Sequence, residues 1–172
     1  LSAAQYHGAA HHRPQEFQVM LSKSRRPISC GKVRIVFHMR KHITKVPIQR
    51  FNTPRGSVLV SSPEVTAFDL VGYEAQIGGL DAVATILVDL AEKLDPEKLA
   101  ALAPTVPLPW SQRLGFLLEH IDEAPRTEAL KEYVREHARD ATLLQPSAHT
   151  EEPYPRNQDW KLILNAEVEA ET

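Results

Sequence analysis

The spacing of apolar residues changes at residues 61–64, where the sequence reads SSPE. Before this point, FQVML (17–21) and VRIVFHM (33–39) alternate apolar and polar residues, which is the two-residue period of a half-buried strand. After it, apolar residues recur every three or four positions, as on one face of an amphipathic helix. Because each period suits only one kind of element, we predict strands in the first third of the chain and helices after it.

Three further segments have strand character. VPIQRFN (46–52) and GSVLVSS (56–62) flank the turn sequence TPRG, and WKLILNAEVE (160–169) closes the chain. We expect this last strand to pair back with the early ones, giving a mostly antiparallel sheet. The intervening segments SKSRRPISCGK (22–32) and LLQPSAHTEEPYPRNQD (143–159) are predicted as a basic turn and a long loop.

The helical region is predicted to begin at Ser62, a capping residue followed by Pro63 and by Glu64 in the first turn. Val65 and Phe68 continue the helix at the expected spacing. Four or five helices follow from these patterns within residues 62–140, with starts and ends near 63–77, 80–94, 95–103, 110–121 and 126–138. Segregated strands and helices indicate an α+β fold, and residues 1–172 are interpreted as one domain. LSAAQYHG (1–8) has the character of a helix that begins upstream, so we expect the chain to be a fragment of a longer protein.

Charge is distributed unevenly along the chain. Residues 1–60 contain eleven Lys and Arg against the single acid Glu16, whereas residues 61–172 contain nine basic residues against 21 acids. Two interpretations remain open: the basic half binds a polyanion or an acidic partner, or the two halves pack together and neutralise each other.

The basic half is therefore a candidate nucleic-acid or partner surface. The residues predicted to make this contact are Lys23, Arg25, Arg26, Lys32, Arg34, Arg40 and Lys41. Few aromatic side chains accompany them, so we expect contact with the phosphate backbone without reading of sequence. The alternative is that these cations only protect strand edges from aggregation.

Three histidines near the N-terminus raise the possibility of a metal site. His7 and His11 are four residues apart, which on a helix would place two imidazoles on one face, and His12 follows. Gly8 interrupts such a helix, and no carboxylate occupies a matching position. We predict no metal site and interpret the segment as a junction between a helix and a strand.

The sequence contains no strong catalytic motif. A G-x-S-x-G frame and a P-loop are both absent, and Cys30, the only cysteine, lies in a basic turn. A metal-dependent nuclease would use the carboxylates Glu16, Glu64 and Asp69, an alternative that we keep open. We predict no enzyme activity, no catalytic residues and no cofactor. A lone cysteine suits the cytoplasm, and no apolar run approaches the roughly 20 residues that span a membrane.

Five stretches, in this order, carry a family resemblance: LSAAQYHGAAHHRPQEFQV, SSPEVTAFDLV, GGLDAVATILVDL, QRLGFLLEHI and DWKLILNAEVE. Together they resemble the C-terminal domain of AbiE-type abortive-infection antitoxins (the AbiEi family), the antitoxin half of a bacterial type IV toxin–antitoxin pair. The resemblance extends from Leu1 to about Glu169.

The resemblance implies that an upstream winged helix-turn-helix domain, absent from this chain, binds operator DNA and represses the operon. It also implies a nucleotidyltransferase-like toxin encoded in the same operon, a role in phage defence, and neutralisation without a stable complex. It supplies no catalytic residues. Asp69 and Arg113 fall in the matching stretches and are predicted to be structural: Asp69 holds the first helix to its neighbours, and Arg113 pairs its head with a carboxylate.

Overall fold

A computed structural model describes residues 1–10, 16–148 and 153–170. It confirms the α+β class. His11 and His12 lie outside the described residues, so the prediction about the histidine cluster can be followed only at His7.

Five strands occupy the first third of the chain in two sheets. Their bounds are β1 Glu16–Leu21, β2 Ile28–Cys30, β3 Val33–Met39, β4 Ile48–Thr53 and β5 Gly56–Ser61. The first sheet has the order β1–β3–β2, with β1 parallel and β2 antiparallel to β3. The second is the antiparallel β4–β5 hairpin. Strand β2 lies within the segment predicted as a turn. It is a three-residue strand, and the chain turns back into β3 at Gly31, whose φ of +59° suits glycine.

The helices follow the predicted pattern closely after the change of period. Their bounds are α1 Ser2–Tyr6, α2 Pro63–Gly72, α3 Glu74–Ile77, α4 Leu80–Ala91, α5 Pro96–Leu102, α6 Leu108–His120 and α7 Glu128–His137. Helix α2 begins as expected, because the Ser62 hydroxyl accepts a hydrogen bond from Val65 N–H. The predicted helix from 63 to 77 is divided in two at Tyr73, whose backbone leaves the helical region.

The core lies among the helices. The apolar stripe of α4 is buried along its length, and Phe68 of α2 and Leu114 and Leu117 of α6 are fully buried beside it. Helices α1 and α2 contact β5, and α1 also contacts β1, so these two helices connect the N-terminal sheets to the helical layer.

The prediction that the last strand pairs with the early sheet is wrong. The C-terminal segment instead forms a separate small sheet of β6 Thr142–Leu143, β7 Arg156–Asn157 and β8 Leu162–Ile163, in the order β6–β8–β7. Strand β7 falls in the predicted long loop, and β6 overlaps its first residue. The physical cause is attachment to α6: the Gln112 side-chain amide donates hydrogen bonds to the carbonyls of Trp160 (3.1 Å) and Lys161 (3.0 Å).

Candidate binding cleft and basic face

A cleft of about 500 Å³ lies between the two N-terminal sheets. Helices α1 and α2, strand β1, the β4–β5 hairpin and the 3₁₀ turn Ile43–Lys45 line it. Most of the lining side chains are apolar, among them Phe17, Val19, Met20, Val58 and Leu59. A smaller cavity of about 60 Å³ adjoins it and shares Met20 and Asp69. The volume of the main cleft lies within the range of about 300–1,000 Å³ that is usual for ligand sites.

A charged pair, Arg40 and Asp69, forms part of the cleft lining. The Arg40 guanidinium, just after β3, contacts the Asp69 carboxylate on α2, and the two side chains are only 13% and 12% exposed. Burial raises the pKa of Asp69 to about 6, and the Arg40 charge acts in the opposite direction. Tyr73 donates a hydrogen bond to the Met39 carbonyl (3.2 Å) beside this pair. The pair therefore ties the end of β3 to α2, and it withdraws Arg40 from the predicted contact surface.

The remaining predicted cations are exposed. Lys23, Arg25 and Arg26 lie in the connection between β1 and β2, Lys32 lies in the turn between β2 and β3, and Arg34 lies near the start of β3. We call this set of five the basic face. Arg25 lies over the Phe37 ring at 5.2 Å, and Arg34 forms an ion pair with Glu16 at 3.3 Å. Lys41 is exposed apart from this face, beside the cleft.

The two oppositely charged halves are joined directly by the Arg40–Asp69 pair. The other ion pairs between described residues lie within one half: Arg34–Glu16 in the basic half, and Lys98–Asp95, Arg126–Glu123, Lys131–Glu119, Lys131–Asp159 and Arg135–Glu132 in the acidic half. Most cations of the basic half thus face solvent without a contacting carboxylate from the other half.

The three carboxylates considered for a nuclease site lie apart, each with its own partner. Glu16 pairs with Arg34, and Asp69 pairs with Arg40. Glu64 is buried and accepts hydrogen bonds from the Ser62 hydroxyl (2.8 Å) and Asp95 N–H (3.2 Å). Within the described ranges, no group of three or more His, Cys, Asp or Glu residues is arranged to hold a metal ion.

His7 and Cys30 are the other two candidates for chemistry. The His7 ring is buried, its Nε2 lies 2.8 Å from the Ser61 carbonyl, and it meets the Phe51 ring edge-on. Cys30 is an exposed free cysteine at the end of β2. His7 thus fixes the start of the chain to β5.

Arg113 is buried between α6 and the C-terminal sheet. Its Nε donates to the Leu143 carbonyl (2.9 Å) and its Nη2 to the Thr142 hydroxyl (3.4 Å). These partners differ from the predicted carboxylate, because β6 brings a backbone acceptor to the guanidinium. Burial lowers the pKa of Arg113, and the charge of Glu74 partly offsets this.

The cleft was not predicted from the sequence. Its walls come from segments correctly predicted as strands, but spacing along a chain does not reveal which sheet edges stay unpaired. In the structure, Ile48 and Leu59 are large apolar residues on the hairpin, and both are more than half exposed, at 54% and 57%. Exposed apolar side chains near one another mark interaction sites.

The fold is that of a solved bacterial protein. The crystal structure of the RV2827C protein from Mycobacterium tuberculosis matches 94% of this chain with a TM-score of 0.63 and 18% sequence identity. This chain spans only 59% of that protein's length. No curated protein matches the chain. In the part of the chain that the structure describes, no helix is both long and apolar enough to cross a bilayer.

The chain thus combines two small N-terminal sheets, an exposed basic face and a mostly apolar cleft with a layer of helices. Residues 1–120 match the family of AbiEi antitoxin C-terminal domains, and the chain belongs to that family. The resemblance noted in the sequence is thereby confirmed. The matched region ends with α6 and includes both N-terminal sheets, the cleft and the Arg40–Asp69 pair.

Proposed function

We propose that this chain is the neutralising domain of an antitoxin in a bacterial type IV toxin–antitoxin system that acts in phage defence. Its toxin is a nucleotidyltransferase-like protein encoded in the same operon. Membership of the AbiEi antitoxin family is the observation that carries this proposal. The domain acts in the cytoplasm without an enzyme activity or a cofactor of its own. In the intact protein it follows a winged helix-turn-helix domain that binds operator DNA and represses the operon.

We further propose that the basic face contacts nucleic acid, either the toxin's target or DNA beside the operator. Support comes from the exposure of five cations within residues 22–34 and from the scarcity of contacting carboxylates. Phosphate contacts by Lys and Arg give affinity without reading the base sequence. Under this proposal, the antitoxin opposes the toxin by contacting nucleic acid, without a stable complex between the two proteins.

The test is a growth-rescue experiment in which the toxin is expressed with this chain, with the full-length antitoxin, or alone. We expect the chain to restore growth. The fourfold charge reversal K23E/R25E/R26E/K32E is expected to abolish rescue. Its matched control reverses four exposed cations of the acidic half, K98E/R135E/R139E/R156E, and should keep rescue.

The outcomes separate the parts of the proposal. Rescue by the full-length protein only would show that this domain is not sufficient, and failure of both would contradict the antitoxin role. Equal rescue by both fourfold variants would contradict the use of the basic face. If nucleic acid binds the basic face but nothing rescues growth, the second candidate function, a nucleic-acid-binding domain without an antitoxin role, is favoured.

A further inference from the structure

The cleft is bordered by two strand edges that carry no strand partner among the described residues. β1 pairs with β3 along one side, and β5 pairs with β4 along one side. No backbone hydrogen bond between described residues joins β1 to β5. Four consecutive residues of each strand, 17–20 and 58–61, line the cleft. Since side chains alternate between the two faces of a strand, a consecutive run means that each strand borders the cleft with its edge.

The hydrogen-bond register identifies the backbone groups on the β5 edge. Ser62 N–H donates to the Pro47 carbonyl, which makes this a hydrogen-bonded pair of the hairpin. Pairs alternate along an antiparallel ladder, so the N–H and C=O groups of Ser57, Leu59 and Ser61 point away from β4. The Ser61 carbonyl meets His7, which leaves the Ser57 and Leu59 groups as the accessible edge.

The same argument applies to β1. Arg40 N–H donates to the Leu21 carbonyl, so Leu21 faces β3, and alternation turns the backbone groups of Met20 and Gln18 outward. Gln18 N–H is bound by the Ser2 hydroxyl (2.9 Å). The Met20 N–H and C=O therefore remain as unpaired groups on the β1 edge within the described structure. Exposed edges of this kind are templates for an added strand.

The charges around the cleft indicate which kind of peptide segment would be complementary to it. Lys41 and Lys45 are exposed on either side of Ile43 and Thr44, which line the cleft, and Arg50 is exposed on β4. The carboxylate that lines the cleft, Asp69, is already paired with Arg40. The walls are apolar and the rim is cationic, which complements a segment that alternates apolar and acidic residues.

We propose that an extended acidic segment of a partner protein binds as an added strand between β1 and β5. Its backbone pairs with Met20 on one side and with Leu59 and Ser57 on the other. Its alternate apolar side chains fill the cleft, and its carboxylates meet Lys41 and Lys45. This site is separate from the basic face and does not depend on what that face binds.

The test uses the whole chain and a displayed library of random peptides about a dozen residues long. We expect enriched peptides to alternate apolar and acidic residues. A synthetic copy of the most enriched peptide should slow hydrogen exchange at the Met20 and Leu59 amides by about tenfold or more. Failure to enrich any peptide, or binding without protection of these two amides, would overturn the proposal.

Leu59→Glu adds an opposing charge to the cleft at an exposed position, so it should preserve folding while weakening peptide binding by about tenfold or more. Val33→Glu is the matched control, because Val33 is an equally exposed apolar strand residue (53%) outside the cleft lining. Equal affinity of the two variants would contradict the site. Sedimentation of the free chain provides a further check: a dimer that Leu59→Glu dissociates would assign the cleft to a second copy and also overturn the proposal.

Discussion

The indole ring of Trp160 lies directly against the backbone of Gly115. A Cβ atom at residue 115 would be 2.0 Å from Trp160 Cη2, far inside van der Waals contact, so α6 can accept this ring only at a residue without a side chain. The ring is fully buried, and its Nε1 donates to the Glu119 carboxylate at 2.8 Å, one turn further along α6. This contact locks the C-terminal segment, which lies beyond the family match, onto the helical layer.

We predict that Gly115→Ala destabilises the fold by about 3 kcal/mol, at the upper end of the cost of overpacking a core. Alanine favours a helix by about 1 kcal/mol over glycine, but the clash with a buried ring outweighs this gain. The measurement is the free energy of unfolding from urea titration.

The control for this change is a double-mutant cycle with Trp160→Leu, which removes the ring from residue 115. In that background Gly115→Ala should cost almost nothing or stabilise the protein, because only helix propensity remains. An equal loss of stability in both backgrounds would show that the ring contact is not the cause.

The buried Asp69 carboxyl makes stability depend on pH. Its pKa is about 6 in the folded protein, above its ordinary value of 3.8, because burial penalises the charged form. The folded state therefore holds this proton more tightly than the unfolded state, and its contribution to stability falls as pH rises from about 4 to about 6. As the pH rises across this range, we expect the free energy of unfolding of the wild type to fall by up to about 3 kcal/mol relative to that of Asp69→Asn. Unfolding titrations at a series of pH values measure this difference. Parallel pH profiles for the two proteins would contradict this assignment.

Removing the Arg40 charge should shift the pH-dependent loss of stability caused by Asp69 ionisation to higher pH. Arg40 lowers the pKa of Asp69, so Arg40→Met is expected to raise that pKa above about 6. At neutral pH the variant leaves a buried carboxyl unpaired, and we predict a loss of about 3 kcal/mol that shrinks as the pH falls and the carboxyl becomes neutral. A loss of stability that does not change with pH would indicate that Arg40 acts mainly through packing of its stem. Carboxyl resonances followed by NMR give the pKa directly.

His7 is expected to stabilise the fold without binding metal. Its ring reaches the Ser61 carbonyl and the edge of Phe51, so His7→Ala should cost about 1–2 kcal/mol through the lost hydrogen bond and packing. Zinc added to wild type should leave the melting temperature unchanged. A rise in melting temperature with zinc that disappears in His7→Ala would instead establish a metal site that includes His7.

Local sequence spacing predicted most of the helices and strands correctly. The pairing of the last strand was predicted wrongly because it depends on contacts between residues far apart in the chain. The apolar spacing of Val65 and Phe68, and the Ser62 cap, gave α2 its correct start because capping and periodicity are local properties. The pairing of β8 depends on Gln112 and Gly115, more than forty residues away, and nothing in the spacing of residues 160–169 reports that attachment. Strand β2 was missed because three residues are too few to show alternation.

The sequence also predicted some features of the candidate site and missed others. The exposed cations of the basic face follow directly from composition, since Lys and Arg rarely become buried without a partner. Arg40 is the exception, because its partner Asp69 is 29 residues away in the sequence and comes into contact with it only in the folded chain. The cleft depends on two strand edges remaining apart, and a sequence pattern carries no information about an unformed pairing.

If the basic face binds nucleic acid through phosphates, its affinity must depend steeply on salt. Each neutralised phosphate contributes about 0.7 to the slope of log K against log salt for single strands and about 0.9 for duplex DNA. The variant K23Q/R25Q/R26Q/K32Q should therefore reduce the slope by about 3, measured by fluorescence anisotropy with mixed-sequence RNA and duplex DNA. Its unfolding free energy should change little, because these side chains are exposed, and only the Arg25–Phe37 contact, worth about 0.5–1 kcal/mol, is lost. A variant that keeps the wild-type slope, or a wild type whose binding is insensitive to salt, would contradict phosphate contact by this face.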